Sequence, residues 1–310
     1  MGGGSQAKEY PFEYLAASAL AATINYPLWR ASAIGQSGFR VSLSSSAGAG
    51  LVTMLPQSMA PYIHAFAPPY KGMSATIMGM TWARAAIFWG SDRGKEMIRN
   101  AFPSLHPSVH TLIPPLLCSI GVQCVNQPLV RSSITLQNPE SEIPNIRASL
   151  RHIYEHHGLK GLWHGTSAGI LKTVPKYCTA IVVKDYMEDI LPQVEDPASP
   201  SYDTDKLCRS AMKSSAAGLA GAALTNPIDV IRNEMFKTNK SLLQAVKHLH
   251  EELGWKFIVR GMGKNLVAVS IPVACTIFFT DTFIQFSSQQ RKNKSQTNHH
   301  HQHHHLATEK

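Results

Sequence analysis

The sequence predicts an all-α membrane protein with six transmembrane helices, arranged as three two-helix repeats with pseudo-three-fold symmetry and short surface helices between the spans. Three observations support this fold class. Proline-centred segments recur about every 100 residues. A basic residue followed by glycine recurs after each of them. Charged residues make up only 16% of the chain, against about 25% in soluble domains.

The hydrophobic segments are interrupted by polar residues, and the sequence has no clean run of about 18 apolar residues. Polar residues are tolerated inside a spanning helix where they face other helices or a water-filled cavity. The pattern therefore favours a transporter over a simple lipid anchor.

The first helix of each repeat is predicted from a stretch rich in small residues that ends at a proline. These stretches are Tyr14 to Pro27, Thr111 to Pro128 and Lys206 to Pro227. Alanine and glycine allow helices to approach closely, and a proline inside a helix removes one hydrogen bond and bends it. We therefore expect a kink at each of these three prolines.

The second helix of each repeat follows the basic residue and glycine, at Lys71-Gly72, His164-Gly165 and Arg260-Gly261. In repeats 2 and 3 another proline follows, Pro175 or Pro272, and we expect a kink at each. Trp82 takes the corresponding place in repeat 1.

Amphipathic segments separate the two helices of repeats 2 and 3. Their apolar residues are Ile146, Leu150, Ile153 and Tyr154 in repeat 2, and Leu242, Val246, Leu249 and Leu253 in repeat 3. The spacing predicts short helices that lie parallel to the membrane in contact with lipid. Pro56 and Pro61 predict a less regular segment in repeat 1.

The chain divides accordingly into an N-terminal extension (1–9), three repeats (10–110, 111–195 and 196–290) and a basic, His-rich tail (291–310). Six spans would place both termini on the same side of the membrane. The tail includes His299 to His301 and His303 to His305, and its metal binding would follow from composition rather than from a shaped site.

This layout resembles the mitochondrial carrier family over residues 10 to 290. In that family an acid, a base and a glutamine follow each odd-helix proline after two, five and nine residues. The charges link neighbouring helices into a ring of ion pairs that closes the cavity on the matrix side. The residues that match this gate are Asp229 and Arg232 in repeat 3, Gln36 in repeat 1 and Gln137 in repeat 2.

Repeats 1 and 2 depart from the gate motif, with Trp29, Ser32, Val130 and Ser133 in the places of the acids and bases. The usual ring of ion pairs therefore cannot form, because a charge that faces the closed pore needs a partner. Arg30 and Arg131 each lie three residues after a proline. They either supply charge from this shifted position or have a solvated or interfacial role, and we favour the second reading.

The resemblance implies a second gate at the opposite end of the even helices, made of an acid and a base three residues apart. Asp92 and Lys95 fit this motif in repeat 1, and Asp185 fits the acid in repeat 2, where Glu188 replaces the base. Repeat 3 has Thr282 and Gln285 in these places. One cross-helix pair, Lys95 with Asp185, is expected.

The resemblance also implies which residues contact the substrate, near the even-helix prolines. They are Met80, Arg84, Lys172, Thr173, Lys176, Val269 and Ser270. Three of them are basic, and ionisable residues at mid-membrane depth indicate function. The alternative is that they extend to an interface or pair with a nearby acid. If they bind substrate, we expect a small anion such as a carboxylate or a phosphate.

No nucleophile with a base, phosphate-binding glycine loop or metal motif occurs in the sequence, so we expect neither an enzyme nor a cofactor, a metal site or a nucleic-acid partner. Two functions remain. The first is a solute carrier of the inner mitochondrial membrane, the location that the resemblance implies, working by alternating access. The second is a transport-inactive adaptor or structural subunit of a larger membrane complex. The altered gates favour the second function and the basic residues favour the first, and we predict the first, with the adaptor as the alternative.

Overall fold

The structure is a computed structural model that describes residues 11–39, 59–66, 70–104, 106–193, 202–272, 274–276, 278–280 and 282–284. Within these residues every regular element is a helix. The predicted N-terminal extension and His-rich tail lie outside the described residues.

The α-helices are numbered here in chain order. They are α1 Pro11–Ile24, α2 Tyr26–Ser37, α3 Ala60–Ala65, α4 Met73–Ala101, α5 Pro107–Leu136, α6 Ile146–Leu162, α7 Thr166–Ile190, α8 Tyr202–Thr238, α9 Leu242–Leu253 and α10 Met262–Ile284. A 3-10 helix, Gly254–Val259, follows α9. Helix 1 of the predicted bundle is α1 with α2, and helices 2 to 6 are α4, α5, α7, α8 and α10.

The prolines occupy two kinds of position. Helix 1 is interrupted at Asn25, and Pro27 lies in the first turn of α2, where its missing N–H removes no helical hydrogen bond. By contrast, α5 continues through Pro128, α8 through Pro227 and α7 through Pro175. Pro272 lies within α10. The interruption of helix 1 is thus observed, and bends at the other prolines stay predictions.

Each even helix begins beside a glycine with a left-handed backbone. The φ angle is +79° at Gly72, +84° at Gly165 and +69° at Gly261. Glycine adopts this conformation without the steric cost that a Cβ atom adds. The recurring glycine is therefore explained by the turn that starts each even helix.

The predicted surface helices are α6 and α9. Asn145 caps α6 by accepting a hydrogen bond from the Ala148 N–H at 2.9 Å, and Ser241 and Gln244 form a capping box at the start of α9. Ile153 of α6 and Leu249 of α9 are buried on the inner faces of these helices. In repeat 1 the corresponding helix α3 is only six residues long. Pro61 in its first turn is consistent with the less regular segment predicted there, and Pro56 lies outside the described residues.

Helices pack mainly in sequential pairs, α4 along α5 and α7 along α8, while α2 and α7 also contact other helices of the bundle. The face of α7 that points away from the bundle carries an exposed stripe at helical spacing. Its members are Leu171, Val174, Cys178, Val182, Tyr186 and Ile190. A continuous apolar stripe of this kind favours contact with lipid.

Only α10 among the described helices is long and apolar enough to span a membrane by the criteria of length and composition. A shorter apolar helix covers Phe12–Ile24. The remaining long helices contain too many polar residues for this test, as the interrupted hydrophobic segments predict.

The close approach of Gly261 to α2 yields a prediction. A Cβ atom at this position would lie 2.6 Å from the Gln36 backbone nitrogen, and φ is already positive. Gly261→Ala should therefore lower the free energy of unfolding by roughly 1–3 kcal/mol, measured as thermal unfolding of the purified protein. Gly263→Ala is the control, since no atom lies within 4 Å of its Cβ position and φ is not positive. Equal melting temperatures for the two variants would contradict the prediction.

Candidate functional site: the gate and the charged cluster beside it

The three odd helices are joined by buried hydrogen bonds where the surface helices lie. Between helices 1 and 3, Arg30 Nε donates to Gln137 Oε1 at 2.6 Å, and a second guanidinium nitrogen donates to the Ala65 carbonyl at 3.0 Å. Arg30 is only 3% exposed. One guanidinium thus ties helix 1 to both helix 3 and α3.

Arg131 makes the equivalent connection between helices 3 and 5. It is 1% exposed and donates to the Gly161 carbonyl and, at 3.1 Å, to Asn239 Oδ1. Asn239 directly follows α8. The guanidinium therefore holds α5 against both the end of α6 and the end of α8.

The third connection joins helix 5 to helix 1. Gln36 Nε2 donates to Asn226 Oδ1 at 3.0 Å, and both side chains are buried. Arg260 Nε also donates to the Gln36 carbonyl at 2.9 Å. We call the three contacts Arg30–Gln137, Arg131–Asn239 and Gln36–Asn226 the hydrogen-bond ring.

The hydrogen-bond ring corrects our reading of the two arginines. Arg30 and Arg131 were expected to be solvated or interfacial, and this was wrong, because both are buried and bind oxygen atoms of neighbouring elements. Their equal distance from Pro27 and Pro128 was the signal that they share one role. Gln36 and Gln137, predicted as supports for ion pairs, are members of the ring.

Apolar residues of the three odd helices pack together at the predicted gate. Ala33, Ile134 and Phe236 form a buried cluster, and Trp29 and Val130 pack against it. These five residues, called the apolar plug, come from helices 1, 3 and 5. Trp29 and Val130 stand where the family has acids, so the plug occupies the region where ion pairs would have formed. Ser133 makes a neutral hydrogen bond to Thr76 of α4 at 2.9 Å.

Asp229, the acid of the intact third motif, pairs away from the plug. Its carboxylate lies 2.6 Å from Lys172 Nζ of α7 and 3.0 Å from an Arg232 nitrogen of its own helix. The exposed fractions of the three side chains are 7% for Asp229, 21% for Lys172 and 13% for Arg232. We call these three residues the Asp229 cluster; it joins a predicted substrate residue directly to a predicted gate residue.

The other predicted substrate residues of helices 4 and 6 have individual settings. Thr173 is buried, and its hydroxyl donates to the Gly169 carbonyl of the same helix at 3.0 Å. Lys176 lies beside α8, with its Cγ 3.9 Å from the Cβ position of Gly221. Val269 also lies beside α8, next to Gly218, and Ser270 makes a long contact with the Val267 carbonyl. Their role in binding stays a prediction.

Three predicted site residues, Met80, Arg84 and Asp185, have side chains outside the part of the chain that the structure describes. The pair between Lys95 and Asp185 therefore stays a prediction. Asp92 and Lys95 are partly buried on α4.

Glu188 makes the ion pairs observed at the far end of α7. Its carboxylate lies 2.7 Å from a guanidinium nitrogen of Arg209 and also contacts Lys213, both on α8. Sequence reasoning missed this contact, because the family motif places a base at residue 188. Helices 4 and 5 are thus linked at this end by an acid at residue 188, where the family motif has a base.

An open cavity of about 560 Å³ lies between α1 and α4, lined by apolar residues that include Leu15, Ile77, Trp82 and Trp89. None of the predicted substrate residues whose side chains the structure describes lines it. Its apolar lining suits a hydrocarbon chain better than a charged solute, so we do not assign it to the predicted solute site.

Two titratable groups next to the gate lie in turns outside the spans. Burial lowers the pKa of His164, and nearby Arg131 lowers it further. His164 is therefore neutral near pH 7, and its Nε2, 2.9 Å from the Lys240 carbonyl oxygen, carries the proton. Burial also lowers the pKa of Arg260, while the Glu234 carboxylate opposes the change.

The buried setting of Arg131 predicts a large effect of its removal. Arg131→Met leaves the Gly161 and Asn239 oxygens without these donors, and hydrogen bonds to charged groups each contribute about 1.5–3 kcal/mol. We expect a loss of roughly 2–4 kcal/mol in the free energy of unfolding, measured by thermal or denaturant unfolding in detergent. Arg151→Met is the matched control, since Arg151 is 80% exposed on α6. A loss no larger than that of the control would show that the ring does not hold the helices together.

Comparison with known proteins identifies the family of this fold. The family model described as "Mitochondrial carrier protein" matches residues 107–195 and 203–291, which together are more than half of the chain. The two matched segments correspond closely to the second and third predicted repeats.

Individual relatives are distant. The mitochondrial ornithine transporter 1 of Saccharomyces cerevisiae is 24% identical over 229 residues, which cover 68% of this chain and 74% of the relative. The human mitochondrial basic amino acids transporter is 21% identical over 224 residues, covering 69% and 71%.

A third relative, the chloroplastic protein mitoferrin-like 1 of Arabidopsis thaliana, is 26% identical over 212 residues, or 64% of this chain, and the match spans about half (49%) of the relative's length. The match to the family model over more than half of the chain is decisive. The chain belongs to the mitochondrial carrier family, and as a member of that family it is a multi-pass protein of the mitochondrial inner membrane.

Proposed function

We propose that this chain is a solute carrier that moves an amino acid with a cationic side chain across the inner mitochondrial membrane by alternating access. In this proposal α1 with α2, α4, α5, α7, α8 and α10 are the six transmembrane helices. The observation that carries the proposal is the Asp229 cluster, in which an acid and two bases lie between helices 4 and 5 beside the gate.

The charges of the Asp229 cluster suit a substrate that carries both signs. Lys172 offers a cation to a carboxylate group, and Asp229 offers a buried carboxylate to an ammonium or guanidinium group. A dicarboxylate or a phosphate would interact favourably with the bases and be repelled by Asp229. The cluster therefore offers an opposite charge to both groups of an amino acid, and a simple anion has no group for Asp229.

The relatives support the same class of substrate. Their names refer to ornithine and to basic amino acids, and they give no support to the anion expected from Arg84, Lys172 and Lys176. The ion pair explains why counting bases favoured an anion, since Asp229 offsets the charge of Lys172.

The cluster also suggests how binding is coupled to opening. A substrate carboxylate that binds Lys172 separates this lysine from Asp229. A cationic group of the substrate that binds Asp229 competes with both Lys172 and Arg232 for the carboxylate. Binding then exchanges contacts within the protein for contacts with the substrate. A solute that does not make these contacts does not shift the equilibrium between the two conformations of alternating access, one open to each side of the membrane.

The adaptor function is supported by one observation, the replacement of the ion-pair ring in repeats 1 and 2. The hydrogen-bond ring and the apolar plug occupy that region instead. They are non-covalent contacts that can separate and reform. The relatives named as transporters favour the carrier.

The test measures ligand binding and transport with the purified full chain. Cationic amino acids should raise the melting temperature in proportion to the logarithm of their concentration, since ligands that bind the folded state stabilise it. Reconstituted protein should exchange the same amino acids across a vesicle membrane. Lys172→Met and Asp229→Asn should each reduce both signals at least tenfold, because each removes one charge that faces the substrate.

Lys247→Met is the control, because Lys247 is 80% exposed on α9 and should leave binding unchanged. Circular dichroism of each variant separates loss of binding from loss of folding. Stabilisation by dicarboxylates or phosphate instead would overturn the substrate class. A flat response of well-folded protein to cationic and neutral amino acids, dicarboxylates, phosphate and nucleotides would favour the adaptor.

A further inference from the structure

A second cluster of charged residues lies outside the gate, between α8 and α9. Glu234, near the end of α8, has a fully buried side chain. His248 and Glu252, one turn apart on α9, face it with exposed fractions of 26% and 51%. One potential ligand atom from each of the three residues lies within 4.8 Å of the others.

Neither oxygen of Glu234 accepts a hydrogen bond from the described residues, and His248 Nδ1 is likewise buried without one. A buried carboxylate without hydrogen bonds is costly. Ion pairs offset part of this cost, since Arg260 and Lys237 lie 3.5 and 3.6 Å from Glu234 Oε2. The other oxygen, Oε1, points at the histidine ring.

The two ring nitrogens of His248 both face carboxylates. Nδ1 lies 3.3 Å from Glu234 Oε1, and Nε2 lies 3.6 Å from Glu252 Oε1. A neutral imidazole has one nitrogen without a proton, and that lone pair would face a negative oxygen. A positive charge between the ring and a carboxylate, from a proton or a metal ion, would remove this repulsion.

The distances favour a metal ion. Charge-assisted N–H···O bonds are about 2.7–2.9 Å long, which is shorter than either contact of His248. Two ligands at about 2.1 Å from a tetrahedral ion are about 3.4 Å apart, close to the 3.3 Å between His248 Nδ1 and Glu234 Oε1. A single ion binds one nitrogen of an imidazole, so Nδ1 and Glu234 Oε1 are the pair that would hold it. Glu252 is half-exposed, so it can rotate to complete a three-residue ligand set, and an ion can enter from the solvent at this side.

We propose that Glu234, His248 and Glu252 form a binding site for a divalent first-row transition metal, such as Zn²⁺, that fastens α9 to α8. One imidazole and two carboxylates are ligands that Zn²⁺ accepts, and three protein ligands leave a position for water. Arg260 and Lys237, on the second oxygen of Glu234, orient that carboxylate in the way that outer contacts orient metal ligands.

The His-rich tail must be separated from this site, because six histidines would bind Zn²⁺ by themselves. The test uses the full chain in which the tail histidines are changed to serine, at positions His299, His300, His301, His303, His304 and His305. In this background Zn²⁺ binding is measured by equilibrium dialysis, and thermal unfolding is measured with and without Zn²⁺.

We expect one equivalent of bound Zn²⁺ and a rise in melting temperature. His248→Gln and Glu252→Gln should each remove both. His250→Gln and Glu251→Gln are the matched controls and should retain both, since the His250 ring lies edge-to-face with Trp255 and Glu251 pairs with Lys247, away from the cluster.

Two results would overturn the proposal. Absence of a Zn²⁺-dependent rise in melting temperature in the unmutated cluster would mean that these three residues do not bind the metal. Equal Zn²⁺ binding by Glu252→Gln and its control would place the metal elsewhere. Glu252 is half-exposed, so this comparison does not depend on whether His248→Gln folds.

Discussion

The hydrogen-bond ring is the contact on which the packing of the three odd helices depends. In the family the odd helices are held by ion pairs between opposite charges. Here Arg30 and Arg131 supply positive charge from a position one residue beyond the acid, and they donate to amide and backbone oxygens. Each arginine contacts a neighbouring helix and also the surface segment of its own repeat, so the same two side chains hold both the bundle and the surface segments.

The apolar plug follows from the same change. Trp29 and Val130 replace two acids of the predicted gate, so bases opposite them would have no partner. Apolar residues can pack in this region without desolvating a charge, and Ala33, Ile134 and Phe236 do so. Asp229 keeps its charge but has Ser32 where its partner on helix 1 would be. Asp229 pairs with Lys172 of helix 4 instead, because a buried carboxylate needs a cation. The altered motifs therefore form a consistent set rather than a series of unrelated losses.

Much of this architecture was predictable from the sequence. The recurring prolines, the basic-glycine steps and the amphipathic spacing located the helices and their starts, because each of these patterns is local. The contacts of the site were less accessible. Arg30 and Arg131 were misjudged because they were compared with a motif whose charged positions differ by one or two residues. Glu188 was counted as a lost base, because its partners Arg209 and Lys213 belong to another helix. To predict the pair between Lys172 and Asp229, one must know how helices 4 and 5 are oriented about their own axes. The spacing of residues along the sequence does not give this orientation.

Arg260 connects the two charged regions. Its Nε donates to the Gln36 carbonyl, beside the Gln36–Asn226 contact of the ring, and its guanidinium faces Glu234 of the proposed metal site. A cation on Glu234 Oε1 would reduce the negative charge that Arg260 experiences and leave the Gln36 carbonyl as its stronger partner. Removal of the cation would draw Arg260 toward Glu234 and away from helix 1. The occupancy of that site would then bear on how firmly helix 5 is held to helix 1, which is the contact that must separate when this end of the carrier opens.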